Sequence, residues 1–238
     1  ADKVQRQHDA GRLTVRELNV PARNIDVYLE GKWNHGTSSL DDGSYRIDDL
    51  KPGTYSMKVR HPGFEEAGRA EVTIAERATV SAMDYALSPK SPGVDISASR
   101  YTFTPGSTVG FELRAFRAET VGVTLYAVPE AYLLSDDRHP DSIDPVKAGF
   151  RQLEQWKEPV KDFTPYEWRY QTLEVKRTLP VGAYCIEVKG EGASRSRRLF
   201  TVSSIGAVVK RSPSSVMVYV SNLITNAPAS GVRVGLYD

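Results

Sequence analysis

The chain has 238 residues, enough for one large domain or two ordinary ones. Hydrophobic residues make up 40% and charged residues 26%, a composition that excludes a wholly disordered protein. With 31 basic and 30 acidic side chains the formal net charge is +1, so no overall field attracts nucleic acid or an anionic membrane.

The single cysteine, Cys185, excludes a disulfide within the chain. One cysteine fits a reducing compartment, but it also fits bacterial secreted proteins, so the compartment stays open. The opening stretch ADKVQRQHDAGR lacks the apolar core of a signal peptide, and no apolar run is long enough to span a membrane. We therefore expect no membrane insertion, with any targeting signal either removed or never present.

Alternating apolar residues predict strands through the first ninety residues. RLTVREL and NIDVYLEG alternate at period two, and SYRIDDL and GTYSMKV lie on either side of a KPG turn. The stretch from Arg69 to Leu87 adds what looks like a further hairpin around Arg77. About seven short strands at close spacing favour a β-sandwich.

Residues 88–93, SPKSPG, hold two prolines, two serines and a glycine between strand patterns, which is typical of a linker. The sequence therefore predicts a first domain over residues 1–90 and a second over 91–203. The second domain contains an insertion over 130–164 that is polar and charged. Because long ordered insertions are commonly functional, we expect partner contacts there first.

Part of that insertion, DPVKAGFRQLEQW at residues 144–156, predicts a short helix. Asp144 suits the N-cap and Pro145 the first helical position. The apolar residues that follow lie on one side of such a helix.

Residues 204–238 form a third segment, in which turn signals separate three predicted strands. Three strands are marginal as a separate folding unit. We therefore expect this segment to be the start of a further domain, truncated here.

Four aspartates in the stretch SLDDGSYRIDDLKPG are candidates for a metal site: Asp41, Asp42, Asp48 and Asp49. A calcium loop of the EF-hand type needs oxygen ligands at alternate positions, whereas Asp41 and Asp42 are adjacent and Gly43 follows at once. Asp42 and Gly43 instead favour a tight hairpin turn. Asp48 and Asp49 are predicted to cap the next turn through Asx-type hydrogen bonds.

A second candidate metal site is the loop SDDRHPDSID at residues 135–144. Its possible ligands are Asp136, Asp137, His139, Asp141 and Asp144. It has one histidine and its spacing matches no standard site, so a solvated loop is the preferred interpretation.

The remaining histidines, His8, His35 and His61, are isolated from any serine or cysteine motif. No G-x-S-x-G, H-E-x-x-H or P-loop motif occurs. We therefore assign no catalytic, cofactor-binding or metal-binding residue and expect no cofactor and no enzyme activity.

Two clusters have competing interpretations. Arg195 and Arg197 would share one face of a strand and Arg198 the other, so a solvated strand end is favoured over an anion site. The aromatic residues near the insertion suit either a protein interface or helix-to-sheet packing. These aromatic residues are Trp156, Tyr166, Trp168 and Tyr170.

Two segments resemble known families. DDGSYRIDDLKPGTYSMKVRHPGF is similar to the signature of carboxypeptidase regulatory-like domains, which have a transthyretin-like sandwich. YTFTPGSTVGFELRAF, LPVGAYCIEVKG and the run from Phe200 to Asp238 resemble the early domains of bacterial alpha-2-macroglobulin-like proteins. The resemblance implies an all-β fold of tandem antiparallel β-sandwiches, immunoglobulin/transthyretin-like and macroglobulin-like, with one short helical insertion.

The second resemblance implies a parent protein that traps proteases through a bait region and, in many members, a thioester. Cys185 lies in AYCIEV and does not match the thioester motif, so a buried core cysteine is predicted. The implied function is a non-enzymatic scaffold whose partners are a protease or other domains of the parent chain, located outside the cytoplasm. The alternatives are a cell-surface adhesin or carbohydrate-binding stalk, and an accessory domain of a secreted peptidase.

Overall fold

A computed structural model describes residues 8–16, 18, 20–76, 79–80, 83–134, 143–193 and 195–235. It divides into two compact units, one of residues 1–91 with 166–168 and one of residues 92–165 with 169–238. Almost all regular structure is β-strand, arranged in several sheets, which confirms the predicted all-β class.

The first unit contains nine strands. They are β1 His8–Val15, β2 Val20–Pro21, β3 Asp26–Glu30, β4 His35–Ser38, β5 Ser44–Asp48, β6 Gly53–Arg60, β7 Ala67–Ile74, β8 Thr79–Val80 and β9 Tyr85–Leu87. One sheet has β1 at its centre, paired with β2, β5, β8 and β9, and the other has the order β4-β3-β6-β7.

Alternation within these strands builds the first core. Strands β3, β5 and β6 bury every second side chain, as in β3, where Val27 and Leu29 are fully buried while Asp26 and Tyr28 are exposed. Buried side chains from both sheets form one cluster. Each fully buried aliphatic side chain in it contributes about 1.5–3 kcal/mol.

Asp42 and Gly43 form a turn, as predicted, but the predicted hairpin is wrong. The strands on either side, β4 and β5, belong to different sheets. Gly43 has a φ of 78°, and a Cβ there would lie 2.3 Å from the Leu13 carbonyl oxygen, so only glycine fits. The Asp42 carboxylate accepts hydrogen bonds from the Ser44 amide at 2.9 Å and the Ser44 hydroxyl at 2.6 Å.

The hairpin predicted around Arg77 is also wrong. Strand β7 pairs with β6, whereas β8 pairs in parallel with β1 in the other sheet. Close turn signals in this unit therefore mark crossings between sheets.

The second unit contains ten strands and one short helix. They are β10 Gly93–Ser97, β11 Thr102–Phe103, β12 Gly110–Phe116, β13 Thr120–Ala127, α1 Glu130–Leu133, β14 Arg151–Pro159, β15 Trp168–Glu174, β16 Gly182–Gly190, β17 Arg195–Val202, β18 Ile205–Arg211 and β19 Val216–Asn222. A three-stranded sheet, β10-β12-β15, and a five-stranded sheet, β11-β17-β16-β13-β14, enclose a core of twenty buried residues. Strands β18 and β19 form a separate two-stranded sheet, in which Ser221 of β19 also bridges to Pro228.

The helix predicted over residues 144–156 is wrong. Residues 145–149 form turns, and Gly149 adopts a φ of 75°, which ends any helical path. Residues 151–159 form β14, which pairs with β13 along its whole length. The short helix lies at Glu130–Leu133. Within the predicted insertion 130–164, residues 151–159 form an edge strand of the five-stranded sheet, so this part is not a free insertion.

A buried ion pair fixes the segment before β14 to the outer face of the five-stranded sheet. Arg197 in β17 is 2% exposed and pairs with Glu187 directly opposite in β16. Its guanidinium also donates to the Ile143 carbonyl oxygen. Beside it, Tyr132 and Phe150 pack edge to face, with ring centroids 4.9 Å apart, over the buried Cys185.

Both units contain the same tyrosine motif. The sequence Leu-x-x-Gly-x-Tyr ends at Tyr55 in the first unit and at Tyr184 in the second. The Tyr55 hydroxyl donates to the Lys51 carbonyl at 2.8 Å, and the Tyr184 hydroxyl donates to the Pro180 carbonyl at 2.7 Å. Burial raises the pKa of Tyr184. Such a tyrosine corner closes the turn onto the strand that follows it.

We expect Tyr184→Phe and Tyr55→Phe each to lower the free energy of unfolding by about 1 kcal/mol, because each removes a hydrogen bond at a largely buried position. Urea denaturation measures the change. Tyr28→Phe is the control, since the exposed Tyr28 hydroxyl makes only a 3.4 Å bond to Asp26. An equal loss in the control would contradict a special role for the corners.

We expect Asp42→Ala to lower stability at neutral pH but not in acid. Hydrogen bonds from Ser44 lower the pKa of Asp42, so its stabilisation is present above the unfolded-state pKa of about 3.9 and is lost as pH falls through the lower folded-state value. Thermal melts across pH test this expectation. Asp41→Ala is the matched control, and a stability difference for Asp42→Ala that persists unchanged in strong acid would refute the explanation.

Removing Arg197 should be strongly destabilising. Arg197→Met leaves the Glu187 carboxylate with no partner in a site where it is 15% exposed, which costs about 3–5 kcal/mol. Hydrogen exchange should show lost protection at the Ala148 and Phe150 amides. Arg195→Met, on the same face but exposed, should change stability by less than about 0.5 kcal/mol.

The double variant Arg197→Met with Glu187→Leu separates the ion pair from its burial. We expect it to recover most of the loss, since no charge is then left buried alone. A double variant as unstable as Arg197→Met would show that the guanidinium acts mainly through Ile143.

Candidate protein-binding surface

The aspartates considered as metal ligands in the first unit, which include Asp42, Asp48 and Asp49, do not form a metal site. Asp42 holds its own turn, and Asp48 accepts a hydrogen bond from Arg46 at 2.7 Å. Asp49 adopts a left-handed backbone with a φ of 60°. Bonding of the Asx type, which was predicted for Asp48 and Asp49, is found instead at Asp42. Nowhere in the described ranges do three or more histidine, cysteine or acidic residues cluster as a metal site would require.

The loop at 135–144 lies mostly outside the described residues, which include only Asp144 among its candidate ligands. Asp144 accepts hydrogen bonds from the Val146 amide at 3.0 Å and the Lys147 amide at 3.4 Å. It therefore caps the turn at 145–149, where a helix cap was predicted.

The histidines that the structure describes lie in turns and strands. The His61 ring nitrogen Nδ1 accepts a hydrogen bond from the Gly63 amide at 3.0 Å, and partial burial lowers the pKa of His61. His35 lies in β4, with its ring edge towards Tyr55. The side chain of His8 lies outside the described part of the chain.

The arginines of β17 are only partly as predicted. Arg195 is exposed, but Arg197 is buried in the ion pair with Glu187, and Arg198 donates to Asp95 at 2.9 Å. The solvated strand end is therefore wrong for Arg197. Strand periodicity showed which face each arginine occupies but not that side chains from residues 128–133 and 143–150 cover part of one face.

The aromatic residues near the predicted insertion lie in different environments. Trp156 lies on strand β14, where it packs against the second core and donates to Glu158 at 3.3 Å. Helix-to-sheet packing is thus the wrong reason for its burial. Tyr170 is 70% exposed on β15.

The largest group of exposed apolar side chains lies on the β18–β19 hairpin and the residues after it. Nine of the nineteen large hydrophobic side chains that are exposed in the described chain fall here. They are Ile205, Val208, Val209, Val216, Met217, Tyr219, Ile224, Val232 and Val234. Contiguous exposed apolar surface of this kind marks an interaction site.

Register divides the hairpin into two unlike faces. One face, named here the valine face, carries Ile205, Ala207, Val209, Val216, Val218 and Val220, with Arg211 opposite Val216 at one end and Asn222 opposite Ile205 at the other. Between these two ends it is wholly apolar. The opposite face carries Lys210 beside Met217, with Val208 and Tyr219 next to them and Gly206 and Ser221 beyond.

The segment after the hairpin crosses the valine face. Val232, Arg233, Val234 and Gly235 line, together with that face, a groove of about 360 Å³. Residues 231–235 form no strand, although a third strand was predicted there, and residues 236–238 lie outside the described ranges. The valine face is therefore only partly covered.

Cys185 is fully buried under Tyr126 and Phe150 on the outer face of the five-stranded sheet. This matches the predicted core cysteine. Across the described ranges, no helix has the length and apolar character of a membrane span.

Residues 10–88 match the family model described as the carboxypeptidase regulatory-like domain, a regulatory module and not a catalytic one. No curated protein sequence matches the chain.

Three solved structures show the range of structural similarity. Native alpha-2-macroglobulin from Escherichia coli, spanning domains MG0-NIE-MG1, is 15% identical, with 86% of this chain and 69% of that chain covered and a TM-score of 0.43. A carbohydrate-binding protein of Bacteroides uniformis is 6% identical over 83% and 98% of the two chains, with a TM-score of 0.32. A streptococcal ancillary pilin is 10% identical over 85% and 60%, with a TM-score of 0.31.

The family match covers the segment whose Asp-Gly turn, Leu-x-Pro-Gly-x-Tyr corner and following strand carried the first resemblance. Domains of bacterial alpha-2-macroglobulin are among the structural neighbours, as the second resemblance predicted. Residues 10–88 thus match the carboxypeptidase regulatory-like family model, and the chain as a whole is similar to the solved domains MG0-NIE-MG1 of Escherichia coli alpha-2-macroglobulin.

Proposed function

We propose that the chain is a non-enzymatic, protein-binding scaffold from a bacterial alpha-2-macroglobulin-like protein that works outside the cytoplasm. The observation that carries this proposal is the exposed valine face, whose residues belong to neither of the two large apolar clusters. The two packed units hold position, and the hairpin offers the attachment surface.

The proposal includes a division into domains at 1–90, 91–203 and 204–238. The first two each enclose their own apolar cluster. None of the residues of the third belongs to either cluster, which supports treating it as the beginning of another macroglobulin-like sandwich.

The size of the valine face favours a partner within the same polypeptide. Seven residues of strand span about 23 Å, and two strands cover a width of about 10 Å. This gives roughly 230 Å² against the about 800 Å² per partner of a stable complex. A freely diffusing protein would gain too little from this face alone, whereas a tethered sheet benefits from a high effective concentration.

Hydrogen exchange in the natural full-length polypeptide tests the proposal. We expect the amides of residues 205–222 to be strongly protected there and to exchange faster in the 238-residue chain, because another sheet covers the valine face. Equal exchange in the two proteins would contradict the proposal.

Matched variants test which face is covered. Val209→Glu with Val218→Glu, on the valine face, should remove the protection in the full-length protein. Val208→Glu with Met217→Glu, on the opposite face, should leave it intact. Concentration-dependent dimers of the 238-residue chain that Val209→Glu abolishes would instead assign the face to a second copy and overturn the proposal.

A further inference from the structure

The outer face of the five-stranded sheet is divided into two halves. Over one half, Tyr126, Cys185 and Leu199 are covered by residues of the segment 128–150. The buried pair of Arg197 and Glu187 lies at the boundary. Beyond it the face is polar and open.

Register places three cations in one row across the open half. Lys157 of β14 is opposite Gly122 of β13, Gly122 is opposite Lys189 of β16, and Lys189 is opposite Arg195 of β17. All three cationic side chains are exposed. We name Lys157, Lys189 and Arg195 the cationic row.

The cationic row is not neutralised by the chain itself. Among the described residues, none of its three members lies within ion-pair distance of a carboxylate. The nearby Glu187 is already paired with Arg197. Lys189 and Arg195 are direct cross-strand neighbours, and like charges in that position are destabilising. A bound anion would relieve this repulsion.

A groove of about 260 Å³ lies beside the row and includes one of its members, Lys189. The other lining residues are Gly122, Thr124, Gln155, Gly190, Glu187, which is paired with Arg197, and Glu191, which is exposed. A Cβ at Gly122 would meet only the Lys189 carbonyl oxygen, at 3.7 Å, so the backbone lies bare in the middle of a strand. A glycine inside a strand often marks a place where another backbone approaches closely.

We propose that this groove and the cationic row bind an acidic peptide segment of a protein partner. The exposed side-chain amide of Gln155 offers hydrogen bonds to a peptide backbone passing over Gly122. The cationic row takes the carboxylates. None of the groove-lining residues is aromatic, so the stacking platform on which single-stranded nucleic acid depends is missing.

The spacing suits an extended peptide. Lys157 and Lys189 emerge from strands about 10 Å apart, since one strand lies between them. Carboxylates on one side of an extended peptide repeat every 7 Å or so. The long, flexible lysine side chains make up the difference between the strand spacing and the carboxylate spacing.

Fluorescence anisotropy with a labelled peptide of three alternating glycine–glutamate pairs tests the proposal. We expect binding that weakens as salt is added, and no binding of the same peptide with glutamine in place of glutamate. Lys157→Glu with Lys189→Glu should weaken binding about tenfold or more. Failure of the glutamate peptide to bind at low salt would overturn the proposal.

Gly122→Val tests the groove independently of the charges, because it adds a side chain in the groove and leaves the three cations unchanged. Valine favours strands and meets only the 3.7 Å contact, so the melting temperature should be unchanged or higher while peptide binding is lost. Unchanged binding in Gly122→Val would refute the approach of a backbone. Lys157→Gln with Lys189→Gln gives a milder variant should charge reversal impair folding.

Lys32→Glu with Lys51→Glu, in the first unit, is the matched control for charge, since it makes the same two changes on other exposed lysines. Equal weakening by this control would show non-specific attraction and overturn the site. Tighter binding of a trisulfated oligosaccharide than of the peptide would overturn the peptide assignment. The proposal rests on the proposed protein-binding function, but its variants lie outside β18 and β19, so its failure would leave the hairpin test unaffected.

Discussion

A hydrogen bond from a buried tyrosine hydroxyl to a carbonyl four residues earlier is the constraint on which both units depend. It joins Tyr55 to Lys51 in one unit and Tyr184 to Pro180 in the other. In each case the bond fixes the turn before a central strand, either β6 or β16, and each of these strands pairs with neighbours on both sides. Because the corner sets where that strand begins, it also sets which of its side chains face the core.

Sequence patterns correctly predicted the features that depend only on residues close together in the chain. Period-two alternation identified the strand residues of β3 and β6, and the Asp-Gly and Pro-Gly pairs identified turns, because both depend on neighbours in the chain. Which strands pair with each other was harder to predict from the sequence. A turn at Gly43 fits a hairpin as well as a crossing between sheets, and only the packing of two apolar faces decides between them.

The error at residues 144–156 has the same origin. Asp144 and Pro145 are good helix-start residues, and the structure does use Asp144 as a cap. The chain nevertheless leaves the helical path at Gly149, since β13 offers a full set of backbone hydrogen bonds to residues 151–159. Tertiary pairing outweighed local preference, and no single-chain pattern encodes that competition. The cationic row was hidden for a similar reason, because Lys157 joins Lys189 and Arg195 only through the pairing of β13 with both β14 and β16.

In the first unit, strand β9 at the end runs parallel to β1 at the beginning, with Leu13 beside Tyr85 and Val15 beside Leu87. A force that pulls the two ends of this unit apart therefore acts along the strands and loads their hydrogen bonds together, in shear. Bonds loaded in shear must break together, whereas bonds at a hairpin end open one at a time. The connectivity that closes the first unit thus also makes it mechanically resistant in a protein whose domains are joined in series.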